Sequence, residues 1–163
     1  MSSTNFDSLN SSASRITLIS FGYIYGHPPK TNLNISVKKF PNPSKHIRSS
    51  YNGTQKRLQD DLCGTPSFNS MYQDVLSQVI TGIDACNTIN SLNTSQNPEI
   101  TIGLGCEKGK HRSVAIVEML AKDLHNYNVQ VVHRDLEKKS RTKKLTQQYN
   151  DRRLEKRNIT YDY

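Results

Sequence analysis

The nine residues Gly105-Cys106-Glu107-Lys108-Gly109-Lys110-His111-Arg112-Ser113 constrain this chain more than any other stretch, because they join an apolar strand to an amphipathic helix. Ahead of them, Ile100-Thr101-Ile102-Gly103-Leu104 alternates apolar and small residues as a strand does. Behind them, Val114, Val117, Leu120, Ala121 and Leu124 recur at helical spacing. That order puts the loop at a helix N-terminus, where partial positive charge collects. Gly105 and Gly109 admit backbone conformations closed to other residues, so successive N–H groups can converge on one point. Lys108, Lys110 and Arg112 add full charges, and the guest that suits such a loop is a phosphate, sulfate or carboxylate. Arg112 carries the most weight, since an Arg at a helix start opposes the dipole and is unfavourable there unless an anion is present. His111 has two readings, a proton donor to bound phosphate or a cap for neighbouring backbone.

The pattern Cys-x-x-Gly-x-x-Arg-Ser resembles the phosphate-binding signature of cysteine-dependent phosphatases. That chemistry needs a thiolate activated by backbone N–H groups, an Arg to grip the phosphoryl oxygens and a hydroxyl beside the Cys; Cys106, Arg112 and Ser113 hold those places. It also needs a general acid for the leaving group. Asp60, Asp61, Asp74 and Asp84 all lie upstream, none in a recognisable acid-loop context, and Gly105 stands where the phosphatases carry His. Cys106 is thus read either as a nucleophile or as a small buried group. No Cys-x-x-Cys or His-x-x-x-His spacing points to a metal, and no cofactor is expected.

Along the chain, Arg15 to Tyr23 reads as a first strand ending at Gly22 and Gly26, and Leu33 to Val37 as a second, stopped by Pro41 and Pro43. Residues 42 to 68 show little periodicity and read as one long loop. Ser70 to Ile89 is a helix, with Tyr72, Val75, Leu76, Val79 and Ile83 in one stripe; Ser91 to Pro98 is a polar linker. Strand Ile100 to Leu104, helix Ser113 to His125 and strand Val129 to His133 follow. The order predicts an α/β sandwich of two or three layers around a small mixed sheet, with Ile100 to Leu104 near its middle. Ligands of such sheets sit beyond the carboxyl ends of the strands. Tyr25 and His27 after the first strand, Arg48 in the long loop, and His133 and Arg134 after the last strand are therefore candidates for a second wall facing the Gly105 to Ser113 loop.

Composition narrows the partners. The net charge of +8 is concentrated from Arg134 to Arg157, where ten Lys or Arg face four Asp or Glu. Lys138, Lys139, Arg141, Lys143, Lys144, Arg152 and Arg153 could lie along an RNA backbone; the same run could equally be a solvated helix or tail. Residues 1 to 14 are rich in Ser and Asn and are expected to be a disordered tail, with residues 142 to 163 a basic tail or helix after a domain spanning 15 to 141. The apolar content is 34%, no run approaches a membrane span, and without a charged n-region and apolar h-region at residues 1 to 14 the protein is expected not to be secreted. Three cysteines without framework spacing suit a reducing compartment, so a cytoplasmic location is expected, with the nucleus left open; Asn52-Gly53-Thr54 is then a chance glycosylation match. The His133-Arg134-Asp135-Leu136 run copies the start of a kinase catalytic loop, but Ser140 stands where that pattern needs Asn, and the reading is rejected. Asp135 or Glu137 is expected to pair with a nearby Lys or Arg, a pairing of little worth if exposed.

Four blocks taken together resemble the C-terminal domain of RapZ-type proteins: Ser20 to Gly26, Phe40-Pro41-Asn42-Pro43, the Gly105 to Ser113 loop, and His133 to Lys139. The resemblance spans about residues 16 to 141. It implies a loop that belongs to a small-molecule pocket implicated in sensing glucosamine-6-phosphate, on a domain that also binds small regulatory RNA and a ribonuclease. It implies further that this chain is a stand-alone version, since full-length relatives carry a nucleotide-binding domain ahead of this one. Glu107 and Lys108 replace the Thr and Gly common in relatives, and Ser36 and Lys38 replace Asp and Arg. The leading expectation is thus a non-catalytic binding module for a phosphorylated metabolite or other anion, with RNA as a further partner and a homo-oligomer left open; the alternative is a cysteine-dependent phosphatase.

Overall fold

Strand alternation and the spacing of a long apolar stripe account for most of the architecture. A computed structural model describes residues 14–27, 30–92 and 99–138. Strands β1 (Arg15–Gly22), β2 (Leu33–Ser36), β3 (Glu99–Cys106) and β4 (Asn128–His133) form one sheet in the order β2-β3-β1-β4. All three pairings are parallel, where a mixed sheet was expected. Helices α1 (Lys45–Ser50), α2 (Lys56–Cys63), α3 (Phe68–Leu92) and α4 (Arg112–Asp123) complete the fold, with a short 3-10 turn at Tyr23–Tyr25.

Register decides which side chains share a face. Ile16, Leu18 and Ser20 of β1 stand beside Ile100, Ile102 and Leu104 of β3 and beside Val129, Val131 and His133 of β4. Leu33 and Ile35 of β2 extend the same row. Onto this face pack Phe68, Tyr72, Val75, Val79 and Ile83 of α3 and Ala115, Ile116, Val117 and Leu120 of α4, in one continuous core. The stripe on α3 recurs every three or four residues, which is what drives a helix of that length onto a sheet. Gly82 lets α3 lie close over β2, because a Cβ there would come within 2.7 Å of Leu33 Cδ2. The Tyr72 hydroxyl donates to Asp123 Oδ2 at 2.6 Å and ties α3 to the end of α4; burial, then that carboxylate, pushes the phenol well above its ordinary pKa.

The opposite face carries Thr17, Ile19, Phe21, Gly103, Gln130 and Val132 and contributes nothing to that core. The domain therefore has two layers. Parallel sheets are usually covered on both faces and then read as unbroken apolar runs; here Asn128-Val129-Gln130-Val131 alternates because the edge strand β4 exposes one face.

Residues 42 to 68 are the main departure from expectation, because α1 and α2 occupy much of what reads as a loop. Both are short. α2 buries Leu58, Gln59 and Leu62 and is braced by a Lys56–Asp60 pair; α1 buries only Ile47. Stripes of one to three residues are too brief to register as periodicity. Other boundaries move slightly: β3 runs on to Cys106, α3 begins at Phe68, and α4 starts at Arg112 and ends at Asp123. Of the segments expected to be tails, residues 1–13 and 142–163 lie outside the described residues, as do Lys139, Arg141, Lys143, Lys144, Arg152 and Arg153. Among the described residues no helix is long and apolar enough to cross a membrane.

Ile102 is fully buried at the centre of the shared face. Replacing it with Ala should lower the free energy of unfolding by about 2–5 kcal/mol, from lost apolar transfer plus the cavity left behind. Urea denaturation with an unchanged slope would confirm that the loss is one of packing.

Candidate functional site

The carboxyl ends of the strands bring together Gly22, Ser36 and Cys106, with Gly22 level with Cys106 and Ser36 level with Gly105. From Cys106 the chain turns through Glu107 to His111 and enters α4 at Arg112. Three backbone contacts hold that turn. The Val37 N–H donates to Gly105 O at 2.9 Å, Ile24 N–H to Glu107 O at 3.2 Å, and Gly53 N–H to Lys110 O at 2.9 Å. Glycine is required where the chain passes closest. Gly109 has φ +65°, and a Cβ there would sit 2.5 Å from Gly22 N; a Cβ on Gly22 would sit 2.5 Å from the Lys108 carbonyl carbon. Gly53 is equally confined, 2.4 Å from Ala115 N at the start of α4. A Cβ on Gly105 would meet the Phe21 and Tyr23 rings at 2.6 Å, so the His found here in the phosphatases has no room.

Inside the turn, Cys106 Sγ lies 3.1 Å from Ser113 Oγ and accepts the Gly109 N–H at 3.3 Å. Cys106 and Ser113 are both buried. A cavity of about 490 Å³ opens beside them, reached by Cys106, Glu107, Lys108, His111 and Arg112 of the loop and α4 start. Its other wall is Asn42 with Lys45, Arg48 and Ser49 of α1. Lys45, Arg48, Lys108 and Arg112 thus put four cations around one cavity, against the single carboxylate of Glu107.

Arg112 is itself buried, and its Nη1 donates to the carbonyls of Lys38 at 2.6 Å and Phe40 at 2.9 Å. One nitrogen of the fork therefore fastens the segment leading to α1, and among the described residues no partner takes Nε or Nη2. His111 occupies the N-cap position of α4 but makes no side-chain cap bond. Its ring faces the cavity instead, where burial lowers its pKa and the charges of Arg48, Lys110 and Lys108 lower it further, against a hydrogen bond to the Arg48 backbone that raises it.

The candidates for the second wall divide. Arg48 lines the cavity, whereas Tyr25, His27, His133 and Arg134 do not. His27 packs with Phe21 and Tyr23, ring centroids 5.8 and 5.2 Å apart. His133 accepts or donates to Ser20 Oγ and Glu118 Oε1, each at 2.8 Å, and so pins β4 to β1 and α4. Arg134 donates to the carbonyls of Gly22 and Gly26 and forks onto Asp135, which is 0% exposed and also bonded by Lys138 at 2.7 Å. Lys138 lies over the Tyr25 ring at 4.9 Å. The expected pairing of Asp135 with nearby Lys and Arg is present, with the carboxylate itself buried and its Arg134 and Lys138 partners partly exposed. Lys110 gives its carbonyl to Gly53, and its side chain is not part of the cavity wall.

Asn42, Lys45 and Ser49 are site residues that the sequence alone did not single out. Asn42 lies within the Phe40 to Pro43 block, and Lys45 and Ser49 lie three and one residues from Arg48 on α1. The possible acids fall elsewhere: Asp61 caps Ser44 at 2.7 and 2.9 Å, Asp60 pairs with Lys56, and Asp74 and Asp84 are exposed on α3. Among the described residues no cluster of His, Cys, Asp or Glu is suited to hold a metal.

The fold and this site define a one-faced parallel α/β domain in which a strand-end turn and a short cationic helix enclose a small-molecule-sized cavity. The family profile of the RapZ C-terminal domain matches residues 14–137, and the chain belongs to that family. Similar proteins include one called nucleotide-binding protein from Synechococcus sp. (strain JA-2-3B'a(2-13)), 36% identical over 135 residues that cover 74% of this chain and 39% of the relative. Others of the same name are 33% identical in Pediococcus pentosaceus, covering 78% of this chain and 42% of the relative, and 34% identical in Pseudomonas putida, covering 72% and 40%. The chain thus spans about two fifths of the length of the curated relatives it matches.

The lowered pKa of His111 gives the site a pH signature. The unfolded chain holds this proton below its ordinary value of 6.5, while the folded chain gives it up sooner, so the neutral ring's contribution is intact above pH 6.5 and is lost as pH falls from there towards the lowered value. A proton–nitrogen NMR titration should place the His111 midpoint below 6.5. Added sulfate, which does not titrate in this range, should raise it.

Proposed function

We propose that this domain binds a phosphorylated small molecule at the cavity between α1 and the Gly105 to Ser113 turn. The observation that carries the reading is the meeting of four cationic side chains from three elements around one cavity of about 490 Å³. Arg–phosphate forks are among the stronger charge-assisted bonds, and Arg112 is held so that its fork meets the cavity edge. A cavity of that size takes a phosphate together with a body as large as a sugar ring. Membership of the RapZ C-terminal domain family and the name nucleotide-binding protein borne by its relatives both favour a phosphorylated ligand. An amino-sugar phosphate is the class the resemblance suggests, with Glu107 available to its ammonium group. The basic run from Lys138 onward adds RNA as a second partner of the same regulatory module, and no chemical step is required of it.

A cysteine-dependent phosphatase is the alternative, favoured by the contact of Cys106 Sγ with Ser113 Oγ and the Gly109 N–H. Against it, none of the four upstream aspartates lines the cavity.

Three measurements separate these readings. Arg48→Ala removes a cation from an exposed helix position without touching the core, and calorimetry should show sulfate and sugar phosphates binding about tenfold or more weakly, the loss of one charge-assisted bond. Wild-type affinity in that variant and in Arg112→Ala would remove the case for the cavity. Turnover of an aryl phosphate is expected to be absent; vanadate-sensitive turnover that disappears in Cys106→Ser would make the protein a phosphatase. Deleting residues 142–163 should flatten the salt dependence of RNA binding, since each phosphate neutralised on a single strand contributes about 0.7 to the log–log slope, while leaving sulfate affinity unchanged.

A further inference from the structure

The clamp after β4 reaches the ligand loop in two steps. Asp135 Oδ2 accepts the Gly22 N–H at 2.8 Å, and Arg134 Nη2 donates to Gly22 O at 3.2 Å, so one ion pair holds both polar groups of that peptide position. The Asp135 carboxylate is wholly buried and takes three further donors, Arg134 Nε at 3.0 Å, Arg134 Nη2 at 2.7 Å and Lys138 Nζ at 2.7 Å. Gly22 in turn touches the Lys108–Gly109 peptide backbone to backbone, at separations no side chain would permit. The Gly109 N–H on the far side of that contact is the one that reaches Cys106 Sγ. A shift of Gly22 by a few tenths of an ångström is thus passed to the amide that borders the thiol, because the intervening atoms are rigid backbone.

The geometry points to Asp135 as a positioning residue for the ligand loop: by fixing Gly22 it fixes the Lys108–Gly109 peptide and the amide that faces Cys106. It touches no ligand. Burial alone would raise its carboxyl pKa, but the bonds from Arg134, Gly22 N–H and Lys138 outweigh that and hold it below the ordinary carboxylate range, so the clamp stays charged at neutral pH. A buried carboxylate is costly to assemble unless it is fully bonded, and here its donors tie it to the glycine at the crossing. The inference deepens the binding role proposed above and rests on it only for the affinity arm of its test.

Two readouts test it. The first needs no ligand: alkylation of buried Cys106 by iodoacetamide, followed by peptide mass spectrometry, reports opening of the loop. Asp135→Asn should label Cys106 about tenfold faster, the size expected for losing one charge-assisted hydrogen bond, and Lys138→Gln should do the same more weakly. Ile83→Val, which trims the core on α3, is the control for general loosening and should leave the Cys106 rate unchanged relative to Cys86. The second is sulfate affinity, which should fall in Asp135→Asn and in Gly22→Ala and hold in Ile83→Val. Unaltered Cys106 labelling in Asp135→Asn, or acceleration by Ile83→Val to the same degree at equal loss of melting temperature, overturns the assignment. Should Asp135→Asn fail to fold, Lys138→Gln decides on the same criteria. If wild type binds no sulfate, the binding role fails, and the labelling rates still decide the part played by Asp135.

Discussion

The arrangement at the carboxyl ends of the strands depends on one backbone-to-backbone contact, that of Gly22 with the Lys108–Gly109 peptide. β1 and β3 are neighbours in the sheet, and the chain leaving β3 must fold back over the end of β1 before it can enter α4. With any side chain at either position the turn would be lifted off the sheet, Ile24 and Glu107 would lose their hydrogen bond, and the Gly109 amide would no longer face Cys106. The polar work of the region follows from the same approach. Asp135 and Arg134 hold the peptide groups that the tight crossing would otherwise leave without partners.

Electrostatics sets a second demand. Cations gathered round one cavity repel one another, and the fold offsets this with fixed dipoles as much as with charge. The Lys38 and Phe40 carbonyls face Arg112, and Asp61 holds the first residue of the segment that carries Lys45 and Arg48. The neutral state of His111 belongs to the same account: a further proton in this wall would face three positive neighbours. Because the four cations come from α1, the turn and the start of α4, the wall is a product of the tertiary fold and not of any one run of sequence.

How much could be read from the sequence varied with the reach of the signal. The stripe from Tyr72 to Ile83 and the strand–turn–helix around Cys106 are local, and both stand in the structure within two or three residues of their expected ends. The mixed sheet was a reasonable expectation from strands that alternate, yet alternation reports a solvated face and says nothing of strand direction. α1 and α2 left too short a pattern to be seen, and with them went Lys45 and Ser49. The widest departure was at His133 and Arg134, which do not line the cavity. Charged residues at a strand end look alike whether they face a ligand or bury a carboxylate, and only the crossing of β1 by the 105–113 turn shows that Arg134 and Asp135 are turned towards Gly22.

The pairing of β1 has a consequence for how the domain comes into being. The partners of β1 are remote: Thr17 meets Glu99 82 residues along the chain, and Ser20 meets His133, like Gly22 Asp135, 113 residues along. Contacts so distant in sequence are slow to form, because closure entropy is spent before they return anything. On a ribosome the first strand must wait for β3 to emerge before it gains one neighbour, and for β4 before it gains the other. The turn after β3 is translated before its clamp, so a nascent chain that stops short of residue 135 holds the turn without the carboxylate that bonds Gly22.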